Sequence, residues 1–64
     1  MCLATVYTMK GGDDTKVAVL DKVQLVDVEG DELVCTNLFG EVARVQGSIT
    51  RIDLNESVIT IRTD

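Results

Sequence analysis

A chain of 64 residues with 45% hydrophobic side chains and a formal net charge of −5 is one small domain, too apolar for a disordered tail. Acids outnumber bases 11 to 6, which opposes a general nucleic-acid role, because such binding rests on Lys and Arg neutralising phosphates. Two cysteines are too few for a secreted disulfide scaffold, and no apolar run approaches the roughly 20 residues of a membrane helix.

The first ten residues lack both the basic region and the long apolar run of a signal peptide. The expectation is therefore a cytoplasmic domain over residues 1–64, with both thiols reduced. The chain has no proline, and Ile, Leu, Val and Thr dominate, which is strand composition.

Cys2 is the first chemically distinctive residue. Cysteine is small, so removal of Met1 is expected to leave Cys2 with a free amine. Amine and thiolate would then close a five-membered chelate ring on a metal. The amide nitrogen of Leu3 could join on losing its proton. Nickel and copper favour a square-planar N/S set, whereas zinc prefers a tetrahedron. The plainer reading is that Cys2 is a small hydrophobe at a strand start. The residues alone leave both open, since the chain has no His, no C-x-x-C and no H-x-x-x-H.

Cys2 to Thr8 reads as a first strand. Cys2, Ala4, Val6 and Thr8 share one face, and Leu3, Thr5, Tyr7 and Met9 share the other. Both faces are largely apolar. A small barrel buries only one face of a strand, so the second is expected to be covered by another copy of the chain. A domain this short is near the lower limit of independent stability, which points the same way.

Lys10-Gly11-Gly12-Asp13-Asp14 is a turn by composition. It is no phosphate cradle, because no Lys-Ser/Thr pair or helix follows it. Val17 and Leu20 fit a helical turn as well as a strand, and Thr15 to Asp21 is taken as a short extended or irregular connection. Lys22 to Val28 reads as a second strand. Glu29-Gly30-Asp31 is a tight hairpin signal, and Glu32 to Asn37 is a third strand with Leu33 and Cys35 on one face. The acids Asp27, Glu29, Asp31 and Glu32 lack the spacing of a calcium loop and read as a solvated tip. Cys35 reads as a core thiol.

Asn37-Leu38-Phe39-Gly40 is a second turn, with Phe39 expected to plug one end of the core. Glu41 to Leu54 is too long for one flat strand, and Gly47 marks a bend in its middle. Asp53 to Ser57 is a further turn. Val58 to Arg62 closes the chain, with Ile59 and Ile61 inward and Thr60 and Arg62 outward. The pattern predicts an all-β, five- to seven-stranded SH3-like or Sm-like barrel, homodimeric through its first strand.

Two stretches carry a family resemblance: Met1-Cys2-Leu3-Ala4, and Val28-Glu29-Gly30-Asp31 through Thr36-Asn37-Leu38-Phe39-Gly40-Glu41 to Gly47, with Ile52-Asp53-Leu54 and Ile59 beyond. Together they resemble the CooT family of small nickel-binding proteins, linked to maturation of carbon monoxide dehydrogenase. The resemblance implies a homodimer that binds nickel(II) through the Cys after the initiator Met, here Cys2, with one ion shared at the two-fold axis. It also implies a nickel-enzyme client. Asn37 departs from the acid that the family's turn more often carries.

Members of this family have also been labelled RNA-binding, by likeness of the barrel to Sm-type folds. The basic set here is Lys10, Lys16, Lys22, Arg44, Arg51 and Arg62, scattered along the chain, with only Tyr7 and Phe39 able to stack on bases. RNA binding is the second reading. Catalysis is not expected, because no nucleophile-base arrangement is present and the carboxylates concentrate in turns.

Overall fold

The computed structural model describes residues 3–64. Six strands account for most of it: β1 (Ala4–Lys10), β2 (Val17–Glu29), β3 (Glu32–Asn37), β4 (Val42–Gln46), β5 (Ser48–Asp53) and β6 (Val58–Thr63). They form a single mixed sheet in the order β4-β3-β2-β1-β6-β5. β1 and β6 run parallel, and every other neighbouring pair is antiparallel.

The all-β expectation holds, and six strands fall within the expected number. Closure into an SH3-like or Sm-like barrel does not hold. β4 and β5 are the two edges of the sheet, with no ladder between them. The reason lies in Gly47, the sole residue separating them. β4 and β5 are two halves of one sharply bent strand, and halves that diverge from a bend cannot pair along their length.

Gly47 sits where both edges meet. Its N–H donates to the Asp31 carbonyl at 3.1 Å, while the next residue, Ser48, pairs with Arg62. A Cβ at Gly47 would lie 2.4 Å from the Arg62 carbonyl oxygen and 3.0 Å from Ile61 Cγ2. The bend thus depends on a residue without a side chain.

The stretch from Thr15 to Asp21 is the second correction. From Val17 onward it belongs to one 13-residue strand with the segment expected to begin at Lys22. The chain disguises this with a bulge. Ala4 pairs with Val23 but Val6 with Leu20, so β2 carries one extra residue there. Lys22 adopts φ 53°, and the Asp21 carboxylate accepts from Lys22 N–H at 2.8 Å. The extra residue resets the inside-outside alternation, so no single period-2 pattern runs through the strand.

The turns fall where expected. Gly30, at φ 61°, makes the two-residue turn between Glu29 and Glu32. The core gathers Val6, Val23, Leu33, Cys35, Val45 and Ile61, with Val19, Leu20, Val26, Ile49 and Ile59 packed against it. Thr60, expected to face outward, is instead buried. β6 is an interior strand, and Thr60 lies between Tyr7 and Arg51 on its two neighbours, whose longer side chains flank it.

Candidate metal-binding end of the sheet

One end of the sheet collects the start of β1 and the turns that flank it. Thr5 N–H donates to the Ser57 carbonyl at 2.9 Å, which seats the start of β1 beside β6. Leu3 and Ala4 line an open cleft of about 240 Å³, with Leu25, Ile52, Leu54 and Val58 among its other walls. Leu25 is 50%, Ile52 57% and Leu54 81% exposed. Among the described residues, apolar surface is therefore left bare beside Leu3.

Of those ligands, Leu3 is described and lies half-buried at the cleft. Cys2 lies outside the described residues. Among the described residues no three His, Cys, Asp or Glu side chains come together to hold a metal. Cys35 is fully buried, as expected of a core thiol, and burial pushes its pKa up from the ordinary value of 9.0. A thiol held protonated in an apolar core is a poor ligand.

Three acids, Asp13, Asp21 and Asp53, hold turns and a bulge. Asp21 accepts from Thr5 Oγ1 at 2.9 Å, and this bond is the main cause that lowers its pKa. Asp53 accepts from the Glu56 N–H at 2.9 Å, which likewise lowers its pKa. Asp13 does the same for the Thr15 N–H at 2.8 Å. Carboxylates stabilised in the ionised form at the surface are poor general acids.

The β3–β4 turn overturns the expectation for Phe39. Phe39 is 70% exposed and plugs nothing. Asn37 explains why. Its side chain is buried, and its Oδ1 accepts from Phe39 N–H at 3.0 Å and from Glu41 N–H at 2.9 Å. Gly40, at φ 81°, completes the reversal. The turn is thus organised from inside by Asn37, and Phe39 is carried over its crest. A buried Asn capping its own turn has a sequence signal, an Asx residue two before and four before the N–H groups it binds.

The basic residues form no groove. Arg44 binds Glu32 at 2.8 Å, Arg51 binds Asp53 at 3.4 Å, and Arg62 donates to the Lys10 carbonyl at 3.1 Å. Lys22 lies 3.7 Å from Asp21. Nothing in this arrangement supports the RNA-binding reading.

The family model for the CO dehydrogenase accessory protein CooT matches residues 1–62. The chain belongs to the CooT family. A solved structure assigned to CooT from Carboxydothermus hydrogenoformans superposes with a TM-score of 0.87 over 98% of both chains, at 21% identity, which shows a shared CooT-like fold. An uncharacterized protein of Methanocaldococcus jannaschii is 40% identical over 43 residues, covering 67% of this chain and 75% of the relative. CooT membership implies an accessory role for CO dehydrogenase rather than catalysis. No helix among the described residues is long and apolar enough to cross a membrane.

Proposed function

We propose that this protein is a cytoplasmic nickel accessory protein, a metallochaperone or store, that binds Ni(II) as cargo at a homodimer interface. The ligands are the amine and thiolate of Cys2 with the amide nitrogen of Leu3, exposed by removal of Met1. The client is CO dehydrogenase or another nickel enzyme.

The observation that carries this reading is the reach of the family match, which begins at residue 1 and so takes in Cys2 and Leu3. The structure supports it in two ways. Cys35 is withdrawn into the core, which leaves Cys2 as the sole other thiol of the chain. One chain offers at most three such donors, one short of a square plane, and two chains related by a two-fold axis fill it when each gives a thiolate and a nitrogen. The bare apolar cleft beside Leu3 is suited to lie against a second copy.

Binding requires loss of protons from the thiol and the amine, so affinity falls as pH drops. The test is a nickel titration of untagged protein against the Cys2→Ser variant, read by absorbance and native mass spectrometry. Cys2→Ser should lose tight nickel binding and remain dimeric. Equal binding by the variant would place the metal elsewhere.

A further inference from the structure

The start of β1 is gripped from both sides at one residue, Thr5. On the β2 side the register steps from Ala4–Val23 to Val6–Leu20, so Thr5 alone stands opposite both Asp21 and Lys22. Thr5 Oγ1 donates to Asp21 Oδ1 at 2.9 Å, and the same oxygen accepts from Lys22 N–H at 2.8 Å. The carboxylate charge strengthens both bonds. On the β6 side Thr5 N–H donates to the Ser57 carbonyl at 2.9 Å.

Both flanking segments hold an uncommon backbone to do this. Lys22 has φ 53° and Ser57 φ 56°, the positive-φ residues other than glycine among the described residues. Residues with a Cβ seldom adopt this region, and they persist there only where surrounding bonds hold them. Lys22 lies within β2 and Ser57 in the turn that leads into β6, so the two strained residues bracket one residue of β1. Lys22 is tied a second time, because its carbonyl accepts from Leu38 N–H at 2.9 Å.

The register of β1 does not need this grip. An unbroken parallel ladder with β6 already runs from Thr5–Val58 to Lys10–Thr63. The grip acts at the end of that ladder, where the chain passes through Ala4 to Leu3. A side-chain bond to one neighbour and a backbone bond to the other fix Thr5 against rotation about the strand axis. They therefore fix the direction of the chain that continues to Leu3, two residues away and at most about 7 Å along an extended backbone.

We infer that Thr5 and Asp21 are a positioning pair for nickel, holding the outgoing chain so that the amide nitrogen of Leu3 is presented to the ion. The inference rests on the ligand set proposed above. Neither residue is a ligand; both act through the backbone of Leu3. A donor held in place before the metal arrives loses less freedom on binding, and groups that orient ligands from outside carry roughly ten- to a hundredfold in metal affinity.

Nickel titration of untagged wild type, Thr5→Val, Thr5→Ser, Asp21→Ala and the Thr5→Val/Asp21→Ala double variant tests it, at a temperature where circular dichroism shows each folded. Thr5→Val keeps the shape and the N–H and removes the Oγ1 donor alone. Its nickel dissociation constant should rise about tenfold or more, with a changed charge-transfer band, and Asp21→Ala should match it. The double variant should be no weaker than either single one, because both remove the same bond. Thr5→Ser should restore affinity and band. A purely structural role would lower the melting temperature and leave both nickel readouts in the folded protein unchanged. Wild-type affinity and band in Thr5→Val and Asp21→Ala would overturn the inference, as would a Thr5→Ser variant as weak as Thr5→Val. Should Thr5→Val not fold, Asp21→Ala, whose altered side chain is 71% exposed, decides alone. Wild type that takes up no nickel would instead overturn the ligand set proposed above, and with it this role for Thr5.

Discussion

Asn37 and Glu41 close the β3–β4 turn on each other. Asn37 Nδ2 donates to Glu41 Oε1 at 2.7 Å, and Glu41 N–H donates back to Asn37 Oδ1 at 2.9 Å. Asn37 is buried, so removing it leaves the N–H groups of Phe39 and Glu41 without their acceptor. Asn37→Ala should cost about 2–3 kcal/mol in chemical denaturation, at roughly 1 kcal/mol per lost bond plus stranded donors.

Asn37→Asp separates hydrogen bonding from charge. An aspartate keeps an acceptor for both N–H groups but sets a second carboxylate against Glu41 Oε1. Like charges raise the carboxylate pKa in the folded protein. A folded pKa above the unfolded one weakens stability as pH rises through the unfolded value, about 4. The variant should therefore be less stable than wild type at pH 7 and approach it below about pH 4. Glu41→Gln in the same chain should restore much of the loss at neutral pH. Urea melts at both pH values check this.

Gly47→Ala should destabilise by about 1–3 kcal/mol or more, the cost of forcing atoms into a filled space. The new Cβ would lie 2.4 Å from the Arg62 carbonyl oxygen, and backbone cannot move aside as a flexible side chain can. Gly30→Ala meets nothing within 4 Å, so its cost would come from φ 61° alone and should be the smaller of the two. Thermal melts of both variants give the comparison.

Much of this architecture is legible in the sequence because turns carry local chemistry. Gly30, Gly40 and Gly47 mark reversals and the bend where strand composition would otherwise run on. That the sheet stays open is not legible, because short strands joined by tight turns look the same whether or not the last edge pairs with the first. The residues suggest a break in β2 at Lys22, because a bulge erases alternation while the strand continues. Hydrophobicity alone points Phe39 to the core. Its exposure follows from Asn37, whose backbone bonds fix which way the turn projects. For the site, spacing left Cys2 open between ligand and strand residue, since one thiol next to a chain start is compatible with both.

Cys35 should resist thiol reagents until the fold opens. Cys35 is fully buried with its pKa raised by burial, so little thiolate is present and the reagent has no access. Native protein should leave Cys35 unmodified, and denatured protein should react at it. Cys35→Ser should cost about 1–3 kcal/mol by placing a hydroxyl in an apolar core. Timed alkylation followed by peptide mass analysis assigns each thiol.

Asp13, Asp21 and Asp53 hold their pKa below the ordinary 3.8 through hydrogen bonds to the ionised form. A folded pKa lowered below the unfolded one adds stability that is complete above the unfolded value and lost as pH falls through the folded one. Stability should thus be flat near neutrality on their account and decline below pH 3.8. Thr5 is the main cause for Asp21, so Thr5→Val should raise the Asp21 titration midpoint while leaving those of Asp13 and Asp53 in place. Carboxyl chemical shifts followed by NMR against pH resolve the three sites.

The measurement that tests the functional account most directly is native mass spectrometry of untagged protein during a nickel titration, beside the same titration of Cys2→Ser. The account predicts a mass lacking Met1, saturation at one nickel per dimer, and no tight binding by the variant. Wild type that takes up no nickel, or Cys2→Ser that binds as tightly as wild type, would contradict it.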